Sequence, residues 1–167
     1  KFDVLNYINL NDKENNNVHS CEINSVDFFK NSFSMGERTR SFLKVQDGCD
    51  YKCTYCTIPL ARGKSRSGQI KKLVENAKYL VSNGIKEIVL TGVNIGDFGI
   101  FDVNSGVKES NFLDLIKHFN KIRNLARLRI SSIEPNLLSN EIIDFVYRSK
   151  KFVNHFHIPL QSGSDKI

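Results

Sequence analysis

The sequence predicts an α/β fold made of parallel strand-helix repeats, and three observations predict it. From Ser41 onward, short apolar runs alternate with stretches in which apolar residues recur at three and four positions, the periods of strand and helix. The helical stretches carry start and stop residues: Gly84 closes the first, Ser110 or Asn111 opens the second, and Ser139 opens the third. Polar residues follow the apolar part of successive strands: Asp47, then Thr91 and Asn94, then Ser132 and Glu134, then Gln161 and Ser162. A parallel sheet would gather these at its carboxyl edge, where α/β folds carry their sites. The alternation calls for right-handed crossovers and suits an open barrel and a doubly wound sheet equally; periodicity does not choose between them.

The elements justify themselves in order. Residues 1–36 show no sustained period: an asparagine-rich polar run at 11–17 lies between apolar pieces at 2–5 and 26–29, and the stretch reads as linker. Cys21, alone within it, reads as a plain thiol. Residues 42–45 form a short strand that runs into a cysteine-dense loop. Ile70, Leu73, Val74, Ala77, Leu80 and Val81 then lay one apolar stripe along a helix. Residues 87–90 are the second strand, ending in Thr91-Gly92. Phe112, Leu115, Ile116, Phe119 and Ile122 mark the second helix. The third strand covers 128–131, and the third helix follows Ser139 with Glu141 in its first turn. A fourth strand is expected over 156–160, leading into Gln161-Ser162-Gly163-Ser164.

Composition narrows the function classes. A chain of 167 residues, 40% hydrophobic, is enough for one globular core. Its apolar runs are strand-sized, short of the roughly 20 residues of a membrane helix, and no secretory signal is visible. The chain opens on Lys1 instead of Met and is expected to be an excerpt of a longer protein. A net charge of +6 and a pI near 9.2 suit a polyanionic partner and a merely solvated surface alike. Cysteines clustered in an otherwise cysteine-poor chain point to a reducing compartment, the cytoplasm.

The cluster itself is Cys49, Cys53 and Cys56, within Gly-Cys-Asp-Tyr-Lys-Cys-Thr-Tyr-Cys. A bent loop with this spacing can turn three sulfurs to one centre. Disulfides explain it poorly, since three is odd and neighbours this close would close tiny, strained rings. Structural zinc prefers four closed ligands, usually as paired Cys-x-x-Cys knuckles, of which one is present. An iron-sulfur cubane takes thiolates, and three of them leave one iron open to bind a small molecule. A non-catalytic module, either a ferredoxin-like carrier or a zinc-stabilised RNA binder, stands as the rival to an enzyme.

Cys-x3-Cys-x-aromatic-Cys, with Tyr55 as the aromatic, resembles the signature of radical S-adenosylmethionine (SAM) enzymes. The continuation through Pro59, Arg62 and Gly63 resembles the methylthiotransferase branch, where Cys-x2-Pro-x2-Arg-Gly follows the last cysteine. Four runs are most similar to its MtaB type: Val45-Gln46-Asp47-Gly48-Cys49, Leu90-Thr91-Gly92-Val93-Asn94-Ile95-Gly96, Ser131-Ser132-Ile133-Glu134-Pro135 and Pro159-Leu160-Gln161-Ser162-Gly163-Ser164.

That resemblance implies an open, TIM-like barrel of about six strand-helix units, of which about four are present here. Residues 1–36 would be a linker remnant after a methylthiotransferase domain absent from this chain, and 37–167 a radical SAM core incomplete at its carboxyl end. Cys49, Cys53 and Cys56 would hold a 4Fe-4S cluster whose open iron chelates SAM. Tyr55, Thr91, Gly92, Asn94, Ser132, Glu134, Gln161 and Ser162 would contact SAM. The implied reaction cleaves SAM to methionine and a deoxyadenosyl radical, which takes hydrogen from the adenine carbon to be thiolated. Sulfur would come through a second 4Fe-4S cluster on the preceding domain, and a second SAM would give the methyl group. The implied product is the 2-methylthio form of threonylcarbamoyladenosine beside the tRNA anticodon (position 37). The implied partners are tRNA and an electron donor such as flavodoxin or ferredoxin, with no membrane. Within the branch, the isopentenyladenosine tRNA enzyme and the ribosomal-protein aspartate enzyme are the rivals.

Four further sets of residues have readings of their own. Arg62, Lys64 and Arg66 suit tRNA phosphates as forked or point donors, and suit a solvated turn as well. His155 and His157 share one face of the fourth strand and read as barrel-lining polar groups. Tyr51 reads as a solvent shield. Gly92 reads as the place where backbone approaches a ligand closely.

Overall fold

The computed structural model describes residues 22–36 and 39–166. Cys21 and the runs at 2–5 and 11–17 lie outside the described residues. The main sheet is built on β2 (Arg40–Lys44), β5 (Glu87–Thr91) and β6 (Arg127–Ile130), which run parallel. A two-residue strand, β1 (Ser32–Phe33), pairs antiparallel with β2, giving the order β1-β2-β5-β6. The stretch expected as linker thus reaches the sheet, and Phe29 and Phe33 pack on its core.

The edge-side strand β2 alternates between exposed and buried residues, while β5, in the middle of the sheet, is buried on both faces through Val89. Leu43, Ile88, Leu90, Leu128 and Ile130 point to one face and are buried beneath the helices. Phe42 and Lys44, Glu87 and Thr91, and Arg127 and Arg129 point to the other. Helix α2 (Ile70–Ser82) buries Leu73, Ala77 and Leu80, and Gly84, at φ 88°, ends it as expected. Helix α3 (Phe112–Asn120) buries Phe112, Leu115, Ile116 and Phe119; Asn111, rather than Ser110, caps it by accepting the Asp114 amide. Helix α4 (Asn140–Arg148) starts at Ser139, whose hydroxyl accepts the Ile142 amide.

At the amino edge, Glu87 takes ion pairs from Arg129 (3.1 Å), Arg40 (3.4 Å) and Arg127 (3.5 Å), one carboxylate tying three strands. Among the described residues no helix is long and apolar enough to cross a membrane.

The fourth strand differs from expectation. Residues 156–160 make no regular ladder, and pairing with the third strand survives as two isolated parallel bridges, Leu128 with Phe152 and Ser132 with His157. Five steps from Phe152 to His157 answer four from Leu128 to Ser132, so one residue has no partner and the chain bulges. The His155 amide turns back to the Val153 carbonyl (2.7 Å) inside that bulge, and Pro159 has no amide to extend the ladder.

Candidate functional site

The cysteine loop leaves β2 through β3 (Gln46–Asp47) and returns through a short helix, α1 (Ile58–Arg62), to β4 (Arg66–Ser67), which pairs antiparallel with β3. This ribbon closes the base of the loop. Gly48, at φ 71°, is required there: a Cβ would stand 1.9 Å from the Lys64 carbonyl oxygen. The Cys49 amide donates to the Gly63 carbonyl (3.0 Å), and the Cys56 amide to the Cys53 carbonyl (3.0 Å).

Two side chains hold the ribbon to the sheet. The buried Gln46 amide donates to the Asp47 and Gly48 carbonyls and to the Ser65 hydroxyl. Its oxygen accepts the amides of Val93 (2.9 Å) and Asn94 (2.8 Å), so one residue fixes both the cysteine loop and the turn after β5. Asp47, also buried, accepts the Gly48 amide and faces Lys44 (3.2 Å), Arg66 (3.4 Å) and Arg62 (3.7 Å). Burial pushes its carboxyl up, but Lys44, Arg66 and the Gly48 amide outweigh that and hold it below the ordinary value.

All three thiols are free of disulfides; Cys49 and Cys56 are half-buried and Cys53 is exposed. Burial pushes the Cys49 thiol above its ordinary value, assisted by Asp97 and Cys53 and opposed by bonds from the Tyr51 backbone and the Asn94 side chain. Among the described residues, no three cysteine, histidine or carboxylate side chains stand close enough to share a single metal ion. A cubane takes one thiolate at each of three separate irons. Three free thiols on one loop therefore suit the cluster. The strand-end turn suits SAM: Asn94 is 5% exposed, and its Oδ1 is a buried acceptor with no hydrogen-bond partner among the described residues. Such an orphan is costly unless a donor, such as an ammonium group, arrives.

Other expected SAM contacts gather at the same edge. The Tyr55 hydroxyl donates to Gln161 Oε1 (2.5 Å), and Gln161 Nε2 reaches Glu134 Oε2 (3.5 Å), joining the cysteine loop to the end of β6 and to the final loop. Gln161 holds φ at 65°, a conformation few side chains adopt. Ser132 sits in the bridge to His157, and the Ser162 hydroxyl accepts the Ser164 amide. Thr91 is half-buried and pairs with Lys44 across the sheet. The close approach at Gly92 is to Gln46, whose Oε1 would lie 3.0 Å from an added Cβ.

Several readings change. Arg66 is neither a phosphate donor nor a solvated charge: it is 2% exposed and donates to the carbonyls of Phe28, Arg62 and Lys64 while pairing with Asp47. Arg62 faces Asp47, and Lys64 is exposed. Tyr51 is more than a shield, because its hydroxyl accepts the Asn136 amide (3.3 Å) across the site. His155 and His157 are exposed. Gln46 gave no sign of its role in the sequence beyond lying close to Asp47 and Gly48, since the two amides its oxygen accepts are 47 and 48 positions away.

A parallel α/β sheet that carries a three-thiol loop and an orphaned acceptor at its carboxyl edge defines a protein built to hold a metal cluster and a small ligand side by side. Residues 43–167 match the Radical SAM superfamily, and the chain belongs to that family. Its members use a 4Fe-4S cluster and SAM. Among curated proteins, the chain is 43% identical over 132 residues to threonylcarbamoyladenosine tRNA methylthiotransferase MtaB of Bacillus subtilis, covering 78% of this chain and 28% of that one. It is 39% identical over 128 residues to the tRNA-2-methylthio-N(6)-dimethylallyladenosine synthase of Lawsonia intracellularis, covering 76% and 28%. The chain thus spans less than a third of the length of either relative. A solved radical SAM methyltransferase, TsrM from Kitasatospora setae with cobalamin and a 4Fe-4S cluster bound, superposes with a TM-score of 0.54 at 17% identity, covering 71% of this chain and 22% of that one. That likeness is one of fold.

Proposed function

We propose that this chain is the SAM-cleaving core of a tRNA methylthiotransferase that converts threonylcarbamoyladenosine beside the anticodon to its 2-methylthio derivative. The observation that carries this reading is the 43% identity to the Bacillus subtilis MtaB protein over 132 residues, 78% of this chain. The identity to the dimethylallyladenosine synthase is lower, and that relative makes the isopentenyladenosine reaction the second reading.

On this reading Cys49, Cys53 and Cys56 hold three corners of a 4Fe-4S cluster. Bound there, cluster and SAM would supply one-electron reductive chemistry. The chain's own residues position and enclose. Asn94 Oδ1 accepts from the SAM amino group, and Tyr55 with Gln161 closes the loop over the site. Thr91, Gly92, Ser132, Glu134 and Ser162 line the cofactor's path along the strand ends. Gln46 keeps the loop and the 91–94 turn at a fixed spacing, so the ligands and the amino-group acceptor meet the same molecule. An electron donor such as flavodoxin or ferredoxin, a second 4Fe-4S cluster on another domain, and a cytoplasmic setting complete the reading.

Mass spectrometry of tRNA nucleosides from a strain lacking the gene tests it. Threonylcarbamoyladenosine accumulates and its methylthio form disappears; an unchanged nucleoside profile overturns the substrate. Anaerobic reduction of the iron- and sulfide-loaded protein with SAM separates enzyme from carrier or zinc module, because neither of those releases deoxyadenosine.

A further inference from the structure

The chain's surplus of positive charge is gathered at the edge of the sheet opposite the cysteine loop. The two turns that lead into β6 and into Phe152, residues 121–127 and 148–151, hold six cations and no carboxylate. The net charge of the whole chain is +6, so all other residues together balance to zero. Side chains tie the two turns into one platform: the Lys151 ammonium donates to the Ile122 carbonyl, and the Ser149 hydroxyl to Asn120 Oδ1 (2.7 Å). The amides of Arg127 and Leu128 donate to the carbonyls of Lys86 (3.0 Å) and Lys151 (2.8 Å), which sets Lys86, Arg127 and Lys151 side by side across the amino ends of the strands.

Little neutralises this edge. Glu87 is one carboxylate shared by Arg40, Arg127 and Arg129, and Arg148 lines a groove with Asp114, Glu141 and Asp144. Glu37 and Arg38, outside the described residues, add no net charge. Lys86, Lys121, Arg123 and Lys150 are exposed and make no ion pair among the described residues. The large apolar side chains of the first turn, Ile122 and Leu125, are buried, so nothing there enters a lipid surface. Five-residue strands set the cysteine loop at least about 15 Å from this edge, and an electron carrier docked here stands apart from the thiols.

Resting on the tRNA reading given above, we infer that the amino edge holds the phosphate backbone of the tRNA outside its anticodon loop, with Lys121, Arg123 and Lys150 as the principal donors. The stacked stems of a tRNA extend well past the depth of this sheet, so one molecule presents its anticodon to the carboxyl edge and its backbone to the amino edge. Such contacts position the substrate without reading its sequence.

The test uses the native full-length protein with an intact tRNA and with its isolated anticodon stem-loop, and measures dissociation constants across a salt series. Lys121→Gln, Arg123→Gln and Lys150→Gln combined weaken binding of intact tRNA about tenfold or more at roughly 0.1 M salt. They also lower the slope of log affinity against log salt by about two to three, the counterions of three phosphate contacts. Affinity for the stem-loop stays at the wild-type value. Should the triple variant fail to fold, the three single variants replace it, each lowering the slope by about one. An unchanged slope with intact tRNA overturns the inference and leaves the tRNA reading intact. So does an equal loss on combining Lys71→Gln, Lys72→Gln and Lys78→Gln, whose exposed cations lie on α2, since net charge alone then accounts for it. A parallel loss for the stem-loop, or a loss of binding to phosphatidylserine vesicles with tRNA binding kept, overturns it likewise. A wild-type protein that binds neither RNA overturns the tRNA reading itself.

Discussion

Gln46 and the three cysteines divide the work of the site at the scale of single residues. The cysteines supply donors, and Gln46 supplies their geometry through five hydrogen bonds. Replacing Gln46 by Leu strands the buried amide of Asn94, at about 1–3 kcal/mol, and the part-buried amide of Val93, at less. The expected outcome is a chemical-denaturation midpoint lowered by at least that of one such group, together with weaker SAM binding; an unchanged midpoint counts against Gln46 as the tie. Replacing Cys49, Cys53 or Cys56 singly by Ala leaves the fold in place, since none belongs to the buried core, and removes the iron retained after anaerobic loading. Full iron retention in any of the three would remove that residue from the ligand set.

Elements are defined by their ends as much as by their stripes. Asn111 caps α3 with a 2.9 Å bond to the Asp114 amide, while the Ser139 cap of α4 is longer, at 3.4 Å. Asn111→Ala is therefore expected to cost about 1 kcal/mol, read as a lowered thermal midpoint, and Ser139→Ala less. Equal losses would mean that bond length is a poor guide to these caps. The loop ribbon depends on Gly48 in the same local way: its positive φ and the 1.9 Å clash of an added Cβ make Gly48→Ala a disruption of the loop base, seen as lost iron retention with α2 and α3 still intact by circular dichroism.

At the scale of the whole molecule, the sheet has a structural edge and a chemical edge. Glu87 and its three arginines tie the strands at the amino edge, while Asp47 and its three cations sit where sheet, ribbon and cysteine loop meet. Asp47 is held below its ordinary value in the folded protein, so the stability it contributes is fully present above the unfolded carboxylate value of about 3.9. It is lost as pH falls through the lower folded value. Asp47→Asn leaves Arg66 buried beside a neutral group and is expected to cost about 3–5 kcal/mol at neutral pH. The gap in thermal midpoint between the two proteins narrows as pH drops below about 4, and a gap independent of pH would show that Asp47 acts through packing alone.

The sequence by itself determined the strand-helix order, the helix stripes and two of their caps, and the cysteine loop with its family, because periodicity, capping and ligand spacing are local and are read within a few residues. Only the tertiary structure decided that Arg66 is an interior counter-ion, that Gln46 binds two loops together, that Tyr51 and Tyr55 reach Asn136 and Gln161, and that the fourth strand breaks at a bulge. Those outcomes depend on partners up to 106 positions apart. No local pattern encodes such pairings, since they exist only once parallel strands have brought their carboxyl ends to one edge.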